Sequence, residues 1–125
     1  MAAVRVLVDT DVLIDYFNLG RYSDLLDDPR SRIYYSAVTR KELLAKEGLT
    51  ERERQAILAA LRRFRLVPIT RAVAARYASV RRRAQELERE DALVAATALE
   101  KRLPLLTRNW RHFRHVEGLK LYAGR

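Results

Sequence analysis

The stretch Val6-Leu7-Val8-Asp9-Thr10-Asp11-Val12-Leu13-Ile14 decides how the rest of the chain is arranged. Its first three residues form an apolar, mostly β-branched run that is too short for a helix, which predicts a buried strand of a parallel sheet. Asp9 then stands at the carboxyl end of that strand, where open α/β sheets bind their ligands. The apolar residues that follow recur at helical spacing and predict a helix over residues 10–18.

The rest of the chain alternates strand-like apolar runs with segments of helical periodicity. Strands are predicted over residues 33–36, 66–69, 103–107 and 119–122, and helices over residues 21–26, 37–46, 51–64, 71–87 and 91–99. Pro68 favours an edge position for the third strand, because proline donates no ladder hydrogen bond. The alternation predicts the α/β class: one domain over residues 1–125, with a parallel sheet of about five strands and helices on both faces.

Composition limits both the chemistry and the partners. The chain carries 25 Lys and Arg against 16 Asp and Glu, a formal charge of +9, which makes nucleic acid the leading class of partner. The absence of cysteine excludes disulfides and cysteine-based zinc or redox sites. No segment has the apolar length of a membrane span or of a signal peptide, so we expect a soluble, cytoplasmic protein without a membrane partner.

Three acidic residues occupy positions where surface residues are not expected. Asp9 ends the first strand, Glu42 lies among apolar residues of a helix, and Asp91 begins a helix that is apolar nearly all round. Carboxylates in such surroundings are costly unless a positive charge compensates them. Mg²⁺ or Mn²⁺, as one or two ions, suits an all-oxygen donor set and supports hydrolysis of phosphodiesters by metal-activated water.

Each acidic residue also has a purely structural interpretation. Asp9 and Asp91 are both suited to cap the helices that follow them, since Asp is a favoured N-cap residue. Glu42 is adjacent to Lys41 in sequence and would be solvated on many helices. Asp11 and Asp15 are one helical turn apart and could serve as additional metal ligands, but we expect them either on a solvated helix face or in contact with arginines.

Four segments of the sequence resemble, in order and at fitting spacing, the motifs of the PIN-domain ribonucleases, and in particular the VapC-type toxins of toxin–antitoxin modules. They are LVDTDVLI at 7–14, SAVTRKEL at 36–43, DALVAATA at 91–98 and LTRNWRHF at 106–113. The resemblance covers essentially the whole chain. It implies a PIN-like fold, with a parallel sheet flanked by helices on both faces.

The resemblance also implies the roles of individual residues. Asp9, Glu42 and Asp91 would be the catalytic and metal-binding carboxylates, with Thr10 supporting the site by a hydrogen bond and Thr107 holding the end of the neighbouring strand. Residue 109 is asparagine where many PIN nucleases have a fourth acid, so Asn109 would orient a water or the phosphate without adding negative charge, which bears on the occupancy of a second metal position. The implied activity is cleavage of RNA to leave a 5′-phosphate.

Partners follow from the same resemblance. VapC-type toxins are inhibited by a cognate VapB-like antitoxin and commonly form homodimers, so both are expected here. The residues that would line an antitoxin groove are apolar side chains of the helices near the site, most of which could equally belong to the core: Tyr16, Phe17, Leu25, Leu26, Leu43, Leu58 and Leu61.

Several basic residues flank the proposed site in sequence and are candidates for contacts with RNA phosphates. They are Lys41, Lys46, Arg108, Arg111 and Arg114. The remaining arginine clusters, residues 62–63, 65 and 81–83, are expected to form ordinary solvated helix faces. Trp110 and Phe113 would either stack on bases or pack the last turn onto the core.

Two other functions remain open on the sequence. Asp9-Thr10-Asp11 after an apolar strand also resembles the nucleophile motif of haloacid-dehalogenase-type phosphatases, although the further lysine and acidic-pair pattern of that class is not matched. The chain is also compatible with a catalytically weak or inactive PIN-like module that binds RNA or an antitoxin, given the neutral Asn109.

Overall fold

The computed structural model describes residues 3–123, within which four strands alternate with seven helices. The strands are β1 (Arg5–Val8), β2 (Arg32–Ser36), β3 (Arg65–Val67) and β4 (Leu105–Leu106). The helices are α1 (Thr10–Leu19), α2 (Ser23–Leu26), α3 (Ala37–Leu44), α4 (Glu51–Leu61), α5 (Arg71–Arg83), α6 (Arg89–Lys101) and α7 (Trp110–Phe113).

The strands form one parallel sheet in the order β3-β2-β1-β4. The edge position of β3, just before Pro68, confirms the prediction for that strand, and β1 is buried as predicted. The predicted fifth strand over residues 119–122 is wrong: between residues 3 and 123 this segment adds only one parallel bridge, Leu121 to Leu105. Because β4 is only two residues long, a neighbouring strand cannot pair with it over a longer stretch.

Helices cover both faces of the sheet, as predicted. Leu7 and Val67 point to one face and pack against α5 and α6, whereas Val6, Val8 and Ile33 point to the other and pack against α1, α2 and α4. This alternation follows from the two-residue period of a strand. Helix α6 is buried over most of its length because its small apolar residues allow close approach to the sheet.

The helix boundaries follow local capping chemistry. Thr50 and Glu53 form the predicted capping box at the start of α4, and Thr70 caps α5. The interpretation of Asp91 as an N-cap is wrong, because α6 begins at Arg89 after Glu88 and Asp91 lies inside its first turn. No helix within residues 3–123 combines the length and apolar character needed to cross a membrane.

Candidate active site

Asp9 is fixed at the junction of β1 and α1. Its extended backbone makes it the N-cap of α1, and its Oδ1 accepts a hydrogen bond from the Thr10 N–H at 2.9 Å. Strand β4, the neighbour of β1, brings Thr107 alongside, and the Thr107 hydroxyl donates to Asp9 Oδ2 at 2.9 Å. Both carboxylate oxygens are thus held in place, and only 6% of the residue is exposed.

The electrostatics of the site couple Asp9 to Asp91. Burial raises the pKa of Asp9 to about 6, assisted by the negative charge of Asp11 and, more weakly, of Glu42, and opposed by the bonds from Thr10 and Thr107. Burial also raises the pKa of Asp91 to about 6, with further contributions from Asp9, Glu88 and Glu42. The acids predicted to share the site therefore lie within range of one another's charge.

Glu42 differs from its predicted environment, because it is exposed rather than surrounded by apolar groups. Its position is set instead by a chain of hydroxyl groups. The Thr10 hydroxyl donates to Glu42 Oε1 at 2.6 Å and lies 2.9 Å from Thr39 Oγ1, which in turn lies 3.3 Å from Ser36 Oγ. Since an ionised carboxylate only accepts, the donors run from Ser36 through Thr39 and Thr10 to Glu42. We call these four residues the hydroxyl chain.

Ser36 and Thr39 were not among the predicted site residues, although both are buried. Ser36 is the N-cap of α3 and accepts from the Thr39 N–H at 3.2 Å. The signal for Ser36 is present in the sequence as a Ser directly after an apolar strand and before a helix. Nothing in the sequence indicates that the hydroxyl of Thr39 contacts Thr10, because that contact depends on how α1 packs against α3.

Asn109 is linked to Asp9 by hydrogen bonds through Thr107. Its backbone N–H donates to Thr107 Oγ1 at 3.0 Å, so Thr107 links Asn109 to the Asp9 carboxylate. Asn109 is exposed and precedes α7, but its side chain makes no capping bond to that helix. The amide is therefore free of a capping role at the position where the resemblance implies a contact with water or phosphate.

Asp9, Glu42 and Asp91 provide a donor set suited to a hard divalent cation, because all three offer carboxylate oxygens and two of them are destabilised as anions by burial and repulsion. Across residues 3–123, however, no three His, Asp or Glu side chains approach closely enough to form a complete metal-binding group. The hydrogen bonds to Asp9 and Glu42 hold these carboxylates toward threonines. To bind a cation, the side chains of these acids would have to rotate toward one another, and the residues present fit a cation on that condition.

Asp15 is buried, so its predicted location on a solvated face is wrong, whereas the alternative contact with arginines is confirmed. It forms ion pairs with Arg21 at 3.5 Å and with Arg108 at 3.2 Å. Asp11 accepts a hydrogen bond from the Arg108 N–H at 3.3 Å, while its Oδ1 is buried without a hydrogen-bond partner among the described residues. Burial raises the pKa of Asp11.

The candidate RNA-binding residues divide into two groups. Lys41 and Lys46 are exposed and line cavities that also include Glu42, as predicted from their sequence positions. By contrast, the Arg108 guanidinium is engaged by Asp15, and those of Arg111 and Arg114 lie over the Trp110 ring at 5.1 and 5.7 Å from its centroid.

The two aromatic residues of the last motif also differ. Phe113 is fully buried in the core, whereas Trp110 is 45% exposed. Phe113 therefore packs the last turn onto the core, and only Trp110 remains accessible to a base.

A groove of about 580 Å³ opens between α1, α3 and α4. Of the predicted groove residues, Phe17 and Leu43 line it, whereas Leu25, Leu26 and Leu61 belong to the buried core. For these leucines the alternative of a core position is confirmed, and Tyr16 packs against the same core. Neither Tyr16 nor Leu58 lines the groove. The sequence leaves both roles open because an apolar side chain has the same signature at a core position and at a groove. The groove is lined by Thr10, Ile14, Phe17, Asn18, Glu42, Leu43, Lys46, Leu49, Glu53, Ala56 and Ile57.

Comparison with known proteins identifies the family. The family model of the PIN domain matches residues 6–119. The chain belongs to the PIN-domain family. It is 30% identical to Ribonuclease VapC1 of Methanocaldococcus jannaschii, over 94% of this chain and 87% of that protein.

Solved structures agree with this assignment. A toxin–antitoxin complex from Klebsiella pneumoniae contains a chain with 30% identity and a TM-score of 0.77, covering 91% of this chain and 94% of that one. VapBC2 of Rickettsia felis, solved with a DNA fragment from its promoter, shares the fold with a TM-score of 0.82 at 18% identity, covering 95% and 98% of the two chains.

Membership of the PIN family decides between two of the functions left open by the sequence. The Asp9-Thr10-Asp11 segment lies inside the matched PIN domain, so the haloacid-dehalogenase-type alternative is overturned. The confirmed fold places Asp9, Thr107 and Asn109 at the carboxyl edge of the sheet.

Proposed function

We propose that this chain is a divalent-metal-dependent endoribonuclease, the toxin of a VapBC-like toxin–antitoxin pair. The observation that carries the proposal is Asp9 at the carboxyl end of β1 in a PIN domain, buried, with both carboxylate oxygens held by hydrogen bonds and close enough for its charge to raise the pKa of Asp91. The similarity to Ribonuclease VapC1 supports RNA as the substrate. We also propose the cytoplasm as its place of action.

The metal would be held by Asp9 and Asp91, with Glu42 contributing directly or through a water. Mg²⁺ or Mn²⁺ bound there supplies positive charge that offsets the phosphate and activates water for hydrolysis. Asn109 adds no negative charge, so the site favours one bound metal ion over two. Clustered acids with raised pKa values are the arrangement expected of a site that gains a cation, because the cation removes the repulsion between them.

The remaining residues have positioning roles in this proposal. Thr107 and the Thr10 N–H fix the two oxygens of Asp9, and the Thr10 hydroxyl orients Glu42. Asn109 faces solvent at the same edge and is suited to hold a phosphate oxygen or a water. Lys41 and Lys46 are exposed near Glu42 and would contact flanking phosphates.

The test is cleavage of a labelled RNA by the purified protein free of any antitoxin. Cleavage should require Mg²⁺ or Mn²⁺, stop on chelation with EDTA, and be lost in Asp9→Asn. Asp24→Asn, which makes the same chemical change at an exposed position of α2, should cleave like the parent protein. Equal cleavage by Asp9→Asn would overturn the proposal, and RNA binding without cleavage in either metal would favour the inactive PIN-like module.

We further propose that a VapB-like antitoxin inserts an apolar segment into the groove between α1, α3 and α4. Thr10 and Glu42 line this groove, so its occupant would contact residues of the proposed site and block substrate. Ile14, which is 43% exposed and also lines it, offers apolar surface to such a segment. A homodimer is proposed as the active assembly, and light scattering of the purified chain would test it.

A further inference from the structure

A second charged cavity lies at the opposite end of the sheet from Asp9. Arg32 and Arg65 are the first residues of β2 and β3, so their side chains stand at the amino edge of the sheet. The cavity has a volume of about 500 Å³ and carries four guanidinium groups and no acidic side chain in its lining. We call it the arginine cleft; it is lined by Ala3, Pro29, Arg30, Ser31, Arg32, Ile33, Arg63 and Arg65.

The charges of the arginine cleft are only partly compensated. Arg30 pairs with Asp28 at 2.9 Å and Arg63 with Asp27 at 3.3 Å, but both aspartates lie outside the cleft lining. The expectation that Arg65 lies on a solvated helix face is wrong, because Arg65 is the first residue of β3.

Arg32 and Arg65 have no carboxylate partner among the described residues. The register adds to the uncompensated positive charge, because Arg32 lies opposite Arg5 of β1. The Arg5 guanidinium lies over the Tyr34 ring, 5.6 Å from its centroid. Tyr34 in turn lies opposite Arg65. Arg5, Arg32 and Arg65 thus stand on three neighbouring strands, and the directly opposite pair Arg5 and Arg32 is an unfavourable like-charged pair.

A phosphate-bearing ligand fits this cavity best. The planar guanidinium fork matches phosphate oxygens in a bidentate manner, and two unpaired forks at one cavity suit a doubly contacted or repeated phosphate. The volume is that of a cavity for a nucleotide-sized group rather than for a single small ion. The formal charge of +9 also attracts a polyanion to the whole molecule.

We propose that the arginine cleft binds the phosphodiester backbone of an RNA at a point remote from the carboxylate site. The assignment of RNA rests on the proposed function. Strand β1 spans four residues between the two edges, roughly 13 Å at about 3.3 Å per residue. A dinucleotide is too short to contact both sites at once, so an RNA that does so must be longer.

The experiment measures RNA binding without cleavage, in an Asp9→Asn background and in EDTA. The probe is a fluorescently labelled RNA hairpin of roughly 30 nucleotides, whose stem presents about one helical turn of backbone. Arg32→Gln/Arg65→Gln is compared with Arg54→Gln/Arg82→Gln, which removes the same charge from exposed helix positions outside the cleft.

The cleft variant should bind more than about tenfold more weakly at moderate salt, and its plot of log K against log salt should be shallower by about 1.4 to 1.8, the value for two lost phosphate contacts. The control variant should bind within about twofold of the parent. Equal weakening in both variants would overturn the proposal, because net charge alone would then explain the binding. Arg32→Lys/Arg65→Lys, which keeps the charge and loses the fork, should be intermediate and guards against misfolding of the Gln variant.

Competition separates the possible sources of phosphate. If inorganic pyrophosphate binds the cleft but the cleft variant binds RNA as tightly as the parent, the cleft is a small-anion site. That result would overturn the RNA assignment. So would a DNA hairpin of the same sequence that binds more tightly than RNA. If the parent protein does not cleave RNA in the presence of metal but its RNA binding still depends on the cleft, the proposed ribonuclease function is wrong. The proposal that the cleft binds RNA would still hold.

Discussion

Replacing Asp9 with Asn should stabilise the metal-free protein at neutral pH while removing its proposed activity. Asp9 is almost fully buried, and its pKa is raised from 3.8 to about 6, first by burial and then by the charge of Asp11. The ionised form is therefore less favourable in the folded protein than in the unfolded chain. At about 1.4 kcal/mol per pKa unit, this reduces the free energy of unfolding by about 3 kcal/mol at neutral pH.

Asparagine preserves most of the local hydrogen bonds of Asp9. Its Oδ1 can accept from the Thr10 N–H, because Asn and Asp are equally good N-cap residues. Its amide nitrogen can donate to the Thr107 hydroxyl, which has two lone pairs and uses one for the Asn109 N–H. Reorienting Thr107 offsets part of the gain, so we expect a net increase in the free energy of unfolding of about 1–3 kcal/mol.

The difference between the two proteins should depend on pH in a definite direction. Because the folded-state pKa of Asp9 is raised, its contribution to stability is fully present below about pH 3.8 and is lost as the pH rises through about 6. The advantage of Asp9→Asn should therefore be about 2 kcal/mol smaller at about pH 4.5 than at about pH 7.5.

Urea unfolding in EDTA at both pH values measures these quantities. Asp24→Asn is the matched control, and its exposed position predicts a change within about 0.5 kcal/mol at either pH. A lower stability of Asp9→Asn than of the parent at neutral pH, or a difference that is the same at both pH values, would refute the reasoning that burial and repulsion destabilise this carboxylate.

Three further predictions concern other parts of the molecule. Thr39→Val keeps the buried volume but breaks the hydroxyl chain, so RNA cleavage should fall about tenfold, with the circular dichroism spectrum unchanged; full activity would contradict a role for the chain. Ile14→Glu should weaken inhibition by the purified antitoxin at least about tenfold in a titration of cleavage, because it places a charge in an apolar groove, whereas unchanged inhibition would remove the groove from the interface. Phe113→Ala should lower the free energy of unfolding by about 3–5 kcal/mol in urea, since it empties a fully buried site, and a loss below about 1 kcal/mol would show that α7 is not part of the core.

The junction around Asp9 could be predicted from the sequence because its signals are local. A β-branched run, a capping residue and a helical period all fall within nine residues, and each depends only on near neighbours. The capping box of Thr50 and Glu53 was predictable for the same reason. Apolar surroundings singled out Glu42 and Asp91 and the family motifs then agreed, but their separation in sequence carries no information about their distance in space.

Features that depend on packing could not be read in this way. Asp15 has the sequence context of a surface residue, yet the approach of Arg108 allows it to be buried as an ion pair. The failed fifth strand near Leu121 has suitable residues, but its partner β4 is too short to extend the ladder. The arginine cleft likewise arises from strand register, which brings Arg32 near Arg65 although they are far apart in the chain.

The hydroxyl chain gives the site a fixed direction of proton donation. Because Glu42 only accepts, the hydrogens of Thr10, Thr39 and Ser36 must all point toward it, and their dipoles add rather than cancel. An approaching ligand that takes the Glu42 carboxylate for itself would release the Thr10 hydrogen and leave all three hydroxyls free to reverse. Occupation of the site would therefore change the hydrogen bond that Ser36, the buried N-cap of α3, donates to Thr39, although Glu42 itself is exposed.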